Sequence, residues 1–382
     1  MHPHRRAWLS AAATALLLPS RGIARAADDD DDRIRRGRVL RFPRDHGAHL
    51  GRRTEWWYVT GWLQPRGADR LIGFQLTFFR SRTGLADGHP SRFAARQLLF
   101  AHAAATDLTA RRHVHADRLA RWSGADDPAL RARASTRDTD VRLDGWSLVR
   151  QSGADGGYDA VVRSDALELA LQLTPPQPLL LQGDAGFSRK GPLEAQASHY
   201  LSHPQLAVHG RISLAGRGND GRTAEGRPVE GEGRAWLDHE WSDELLHPEA
   251  VGWDWIGINL ADGGALTAFR LRRADGSALW AGGSLRPAGG ALRVFGPDEL
   301  RFTPGRIWRS PATDGRYPGE WSGESPAGRH LGRALRDAQE LDGRASTGTV
   351  YWEGLSELLD GAARRVGLGY LEMTGYAGRL RL

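Results

Sequence analysis

The sequence predicts an all-β protein of two domains, and three observations support this. Short apolar runs with a period of two recur along the chain, as half-buried strands require. Forty-eight glycines and nineteen prolines spread among them point to frequent turns rather than long helices. A length of 382 residues, 40% of them hydrophobic, is enough for two domains with separate cores.

Residues 1 to 26 read as an export signal: Arg5-Arg6, an apolar stretch from Ala7 to Leu18, and Ala24-Arg25-Ala26 as a small-x-small cleavage site. Followed by Trp8 and Leu9, Arg5-Arg6 also suits a twin-arginine signal. The apolar run is too short to span a bilayer, so a soluble periplasmic or secreted protein is expected. Residues 27 to 39, with the acidic run Asp28 to Asp32, are expected to be a disordered, solvated tail.

An N-terminal domain is expected over residues 40–228. Its first strand, T-E-W-W-Y-V-T-G-W-L, sets Trp57, Val59 and Gly61 against Trp56, Tyr58, Thr60 and Trp62, so both faces should be buried. Leu71 to Phe79 and Gln97 to Ala104 continue the pattern. Ala105 to Gly157 reads as irregular and arginine-rich, with one short helix near Pro128 to Ser135. Strand alternation returns at Ala166 to Leu173 and Val208 to Leu214, and the Gly/Arg-rich stretch Gly216 to Pro228 marks the domain boundary.

The C-terminal domain, 229–382, opens on Val229 to Asp238. Trp253 to Leu260, the turn Asp262-Gly263-Gly264 and Ala265 to Arg272 form a hairpin, and Asp275-Gly276 begins another. The pattern runs through Tyr351-Trp352-Glu353-Gly354 to a last strand at Gly369 to Tyr376, with no more than a helical turn at Leu331 to Leu335. Strands at this spacing make an up-and-down meander, the connectivity of lipocalin-like barrels.

Composition removes several classes of function. Cysteine is absent, which excludes disulfides, thiol nucleophiles and thiolate metal sites. The nominal charge of +6 includes Arg5, Arg6, Arg21 and Arg25 of the export signal. Elsewhere basic residues, of which Lys190 is the one lysine, alternate with acids. No phosphate-tracking stripe exists, so nucleic acid is not an expected partner.

Chemistry concentrates between Trp236 and Leu260, where Asp238, His239, Glu240 and Asp254 stand among Trp236, Trp241, Trp253 and Trp255. His239-Glu240 lacks the second histidine of a metalloprotease helix, position 243 being Asp, and no metal is expected. No G-x-S-x-G elbow is present either. In an extended chain His239 and Trp241 project one way, with Asp238 and Glu240 behind them as supporting carboxylates. Asp254 shares a face with Ile256, Ile258 and Leu260, where desolvation would keep its carboxyl protonated as a general acid. An indole face steadies a passing cation. Together these groups suit protonation of an apolar substrate. Equally, the tryptophans can be core and Asp254 the partner of an arginine.

Several uncommon words occur in order: F-P-R-D-H-G-A-H at Phe42 to His49, T-E-W-W-Y-V-T-G-W-L, A-H-A-A at Ala101 to Ala104 and L-Q-G-D-A-G-F-S-R-K-G-P at Leu181 to Pro192. W-L-D-H-E-W, V-G-W-D-W, Y-W-E-G and Y-L-E-M-T-G-Y follow. Over about Phe42 to Tyr376 the chain resembles the carotenoid 1,2-hydratase-like family of secreted lipocalin-like proteins (hydroxyneurosporene synthase-like), in particular its secreted-hydrolase branch. The resemblance implies two tandem lipocalin-like barrels with an apolar cavity near their contact and no cofactor. It also implies a long isoprenoid or lipid ligand, hydrated across an alkene by a hydro-lyase. More loosely, the chain is similar to fungal lipocalin-like Diels–Alderases. The family's His-x-Trp pair maps onto His239 and Trp241. Its Tyr-x-Asp element is nearest at Gly252-Trp253-Asp254, where glycine replaces tyrosine. Expected catalytic residues are therefore His239, Trp241 and Asp254, with Trp57, Tyr58, Tyr200, Trp236, Trp253 and Trp255 binding the ligand. The alternative is a non-enzymatic lipid or lipoprotein carrier, or an accessory of an ABC-type exporter.

Overall fold

The structure is a computed structural model that describes residues 32–380 apart from 92, 154–155, 218–222, 225 and 245. The expected export signal, residues 1–26, lies outside the described residues. The fold is almost entirely strand, in two large antiparallel sheets. As expected from the alternating patterns, the architecture is all-β.

The first sheet, of thirteen strands, is a nearly closed barrel. Its order runs from Arg112–Trp122 through Gln97–Asp107, Ile72–Arg82 and Thr54–Pro65 to Val229–Ser242. It continues through Ala197–Leu214 and Leu167–Thr174 to Ala132–Ala134. Inward side chains such as Phe74, Leu76, Phe78, Trp146 and Leu171 fill the interior. The second sheet, of ten strands, runs from Arg293–Phe295 to Arg301–Pro304 through a centre made by Gly252–Leu260 and Arg365–Thr374. Phe295 on one edge strand and Leu358 near the other end of the order share a core cluster, against which Phe302 packs, so this sheet also bends around its own core.

Four features depart from the sequence expectation. Val229–Ser242 is not the first strand of the second unit: it pairs with Thr54–Pro65 on one side and Ala197–Leu214 on the other. The changeover between sheets falls between Ser242 and Gly252 instead of at 228, because Val229–Ser242 completes its backbone hydrogen bonds with first-sheet strands on both edges. The 105–157 stretch is not irregular but holds Arg112–Trp122, Ala132–Ala134, Asp140–Leu143 and Trp146–Arg150, with no helix near Pro128. These strands are short or only half buried, and their arginines disguise the alternation. Leu331 to Leu335 belongs to strand Gly328–Ala334 and not to a helical turn. In the described part of the expected tail, Ile34 packs against the cluster of Leu40, Leu201 and Trp241, and buried Arg38 pairs with Asp45 at 3.1 Å. The two expected hairpins are present, Asn259 opposite Ala265 and Arg272 opposite Ala278.

The two sheets meet through their outer faces. Gln205 sits at a bulge in Ala197–Leu214 with φ 59° and spans the contact: its backbone N–H donates to Asn259 Oδ1 (2.7 Å) and its Nε2 donates to the carbonyls of Leu260 and Gly264. Asn259 in turn donates to the Ala235 carbonyl. Gly73, on the first sheet, lets the second approach closely. A Cβ there would lie 2.8 Å from Tyr370 Oη and 3.1 Å from Leu355 Cβ. Gly73→Val is expected to overpack this contact and cost about 1–3 kcal/mol, read as a lowered melting temperature.

Candidate functional site

A cavity of about 300 Å³ lies between the two outer faces. The side chains reach it by simple alternation. Along Val229–Ser242, cross-strand register puts Leu237, His239 and Trp241 on the face of Val59, Trp57 and Glu55, inside the first barrel. Trp236, Asp238 and Glu240 are left on the outer face with Trp56 and Tyr58. The second sheet supplies Trp253 and Trp255, Phe269 and Leu271, Tyr351 and Glu353, and Glu372.

The expected separation of His239 and Trp241 from Asp238 and Glu240 is therefore present, but with the opposite assignment of faces to cavity. His239 and Trp241 are packed in the barrel end, His239 stacked on Trp57 (ring centroids 4.8 Å) and Trp241 stacked on His49 (3.7 Å). The carboxylate at their centre is Glu55. His49 Nδ1 and His239 Nε2 donate to its Oε1 at 2.7 and 2.9 Å, and Arg80 Nε donates to Oε2 at 2.8 Å. Burial alone would push Glu55 up, but the Arg80 guanidinium and the two imidazoles hold it well below the usual carboxylate range. Burial lowers the His239 pKa in turn. His49, Glu55 and His239 are close enough together to hold a metal ion. Both nitrogens already point at Glu55, whose charge Arg80 balances, and the cluster closes the end of the barrel as a hydrogen-bonded plug.

Asp254 is likewise on the inner face of its own sheet. Arg270 Nε meets its Oδ2 at 2.7 Å, Arg272 lies at 3.4 Å, and Tyr376 Oη donates to Oδ1 at 2.9 Å. Two guanidinium groups lie on one carboxylate: of the two readings open from sequence, Asp254 follows the arginine-paired one and not that of an acid set among apolar side chains alone. It does not line the large cavity. Trp57 is also interior, its Nε1 donating to the His46 carbonyl. Tyr58, Tyr200, Trp253 and Trp255 do line the cavity, and Trp236 packs edge-on to Trp255 beside it.

Apart from the Glu55–Arg80 pair, which reaches it from the barrel side, the cavity is lined by four carboxyl groups and one lysine. Asp238 Oδ2 accepts from Tyr200 Oη (2.7 Å), and its Oδ1 accepts from Ser202 Oγ and Trp236 Nε1 (both 2.6 Å). Trp255 Nε1 donates to Tyr200 Oη at 3.1 Å, completing the chain. Burial nevertheless pushes Asp238 up to about 7, since it outweighs these three donors. Glu240 accepts from Ser198 and pairs with Lys190 Nζ at 2.9 Å, and that ammonium lies over the Tyr200 and Phe269 rings. Opposite, Glu353 and Glu372 are direct cross-strand neighbours. Burial raises Glu353 well above the usual range, reinforced by the charge of Glu372. Burial likewise carries Glu372 to about 8, with the charges of Asp238 and Glu240 adding to it. His102 Nδ1 meets Tyr351 Oη at 2.7 Å at one edge, and burial lowers that imidazole to about 4. The sequence words Y-W-E-G and Y-L-E-M-T-G-Y contain both glutamates, which the sequence reading did not single out; an acid among the apolar residues of each strand is the signal that would have found them.

A profile of the AttH-like family matches residues 33–376. The chain belongs to the AttH-like family. Among solved structures, this AttH-like protein is similar to an AttH from Nitrosomonas europaea, at 43% identity and a TM-score of 0.78, covering 90% of this chain and 99% of that one. It also shares its fold with kievitone hydratase from Nectria haematococca, at 14% identity and a TM-score of 0.64, covering 89% and 94% of the two chains. No curated protein matches the sequence.

Two predictions test this geometry. Asp254→Ala strands two buried guanidinium groups and is expected to destabilise the AttH-like chain by about 3–5 kcal/mol, measured by denaturant unfolding. Asp238 and Glu372 bind protons more tightly folded than unfolded, so their contribution to stability is present at low pH and lost as pH rises toward about 7 and 8 respectively. The melting temperature is therefore expected to fall between about pH 6.5, above which the buried histidines are neutral folded or unfolded, and about pH 8, and Glu372→Gln to flatten the upper part of that slope.

Proposed function

We propose that the cavity between the sheets binds an apolar ligand of isoprenoid or lipid type and hydrates a carbon–carbon double bond in it, as a cofactor-free hydro-lyase working outside the cytoplasm. The observation that carries this reading is the Glu353–Glu372 pair, two carboxyl groups opposite one another in an aromatic cavity where burial keeps protons on them at neutral pH. A buried carboxylic acid is a proton donor matched to an operating pH near its own pKa.

The chemistry follows in two steps. Glu372 gives its proton to one alkene carbon, leaving a carboxylate and a carbocation at the other carbon. Water adds to that carbon, and the proton it sheds returns to Glu372, so the acid is regenerated and the net change is addition of water. Trp253 and Trp255 line the cavity, and an indole face turned to the substrate would stabilise the cation. Sharing a fold with an enzyme named as a hydratase supports this reading by analogy. A cavity of about 300 Å³ lies at the low end of small-molecule sites, which run from about 300 to 1,000 Å³, so a carotenoid would place only one end in it. Hydration of an acyclic carotenoid at its terminal double bond is the narrower form of the proposal.

Incubation of the purified protein with lycopene in ¹⁸O-labelled water tests the narrow form, and with shorter isoprenoid alkenes the broad one. A labelled tertiary alcohol is the expected product. Glu372→Gln should lower kcat at least about 100-fold with little change in KM, because it removes the proton donor and keeps the shape. A lipid that co-purifies unmodified, with no product from any alkene, would instead make the protein a carrier.

A further inference from the structure

Among the described residues, the cavity's polar groups divide into satisfied and unsatisfied ones. Asp238, Glu240, Tyr200, His102 and Tyr351 all have hydrogen-bond partners within the protein. Of the buried side-chain polar atoms that lack one, two belong to residues lining the cavity: Tyr58 Oη and Glu353 Oε1. Tyr58 is 6% exposed and Glu353 2% exposed, so bulk water does not compensate either. They stand on opposite walls, Tyr58 from the first sheet and Glu353 from the second, and reach each other only in a poorly aligned hydrogen bond that leaves both short of a well-placed partner. A polar atom left unpaired in a buried place costs stability unless something else meets it.

We infer that Tyr58 and Glu353 together bind one oxygen atom of the ligand, a hydroxyl or a carbonyl, so that the ligand is an apolar skeleton carrying such a group and not a pure hydrocarbon. This rests on the reading of the cavity as an apolar-ligand site and adds a specificity determinant to it. Tyr58 offers an O–H, and Glu353, which burial keeps protonated, offers another. Two donors from opposite walls converging on one oxygen fix both the position of the group and the direction of the skeleton beyond it. Trp255, edge-on to Tyr58 at 5.3 Å between ring centroids, holds the phenol in place. The neighbouring Glu372 is then left free to act on a double bond elsewhere in the same ligand. A hydrocarbon in this place would leave the two groups only their poorly aligned contact with each other, and sites built to hydrogen-bond a substrate reject analogues lacking the group in this way.

The test compares two probes of one skeleton, farnesol and farnesene, titrated into the purified protein and read by quenching of its tryptophan fluorescence. Farnesol is expected to bind at least about tenfold more tightly. Tyr58→Phe should bring farnesol down to the level of farnesene and leave farnesene unchanged. Thr60→Val, which removes a buried hydroxyl that is also unpartnered but does not line the cavity, should alter neither. Equal binding of the two probes to the unmodified protein overturns the inference and needs no variant to fold. A preference for farnesol that survives Tyr58→Phe overturns it as well. If neither probe binds, the apolar-ligand reading of the cavity falls and the inference falls with it.

Discussion

A β-strand has two faces, and in Val229–Ser242 both are buried. One face closes the end of a barrel and the other forms the wall of a cavity. Period two then fixes everything else: residues one apart cannot share an environment, so the crowded word W-L-D-H-E-W must be split between core and site. A slip of one residue would exchange His239 for Glu240 and put a carboxylate where Glu55 already sits. Pairing on both edges, to Thr54–Pro65 and Ala197–Leu214, prevents that slip by fixing the register twice.

The two buried clusters on either side of this strand solve opposite electrostatic problems. On the inner side Glu55 meets Arg80, His49 and His239, so its charge is compensated and the carboxylate is kept ionised. Asp254 is likewise paired, with Arg270 and Arg272. On the outer side Asp238, Glu240, Glu353 and Glu372 share a single ammonium, Lys190. Four carboxylates cannot all stay charged in a desolvated space against one cation, and protons supply the difference. Compensated acids build walls, whereas uncompensated ones hold transferable protons. By this criterion the proposed acid chemistry is assigned to Glu353 and Glu372 and not to Asp254.

Much of the fold was readable from local pattern. The strands at Thr54, Ile72, Gln97, Gly252 and Ala265 announce themselves by alternation, and both Asp-Gly hairpins close where the turn residues stand. What local pattern does not contain is pairing between distant segments. Val229–Ser242 looked like the start of a new unit because the Gly/Arg-rich stretch before it breaks the pattern, yet its partners lie some 35 and 180 residues upstream. The site suffers from the same limit. Alternation correctly set His239 and Trp241 apart from Asp238 and Glu240, but sequence carries no sign saying which face looks into a barrel and which across to a second sheet. Asp254 was placed among isoleucines, as the structure has it, while Arg270, its neutralising neighbour, comes from the next strand. Glu353 and Glu372 lay in recognisable words and needed only the observation that each interrupts an apolar face.

Those interruptions have a thermodynamic meaning. In a protein selected for stability alone, strands that bury Tyr351, Leu355, Tyr370 and Leu371 would carry apolar residues at 353 and 372 as well, since an unpaired buried acid opposes folding. Two such acids directly opposite each other add mutual repulsion to desolvation, the least favourable arrangement on the strand pair. Nothing in the packing of the sheets requires them: the contact is already fastened by Gln205, Asn259 and the close approach at Gly73. A cost that the scaffold does not need, placed at the wall of an aromatic cavity between the sheets, is what the proposed action on a bound molecule would call for.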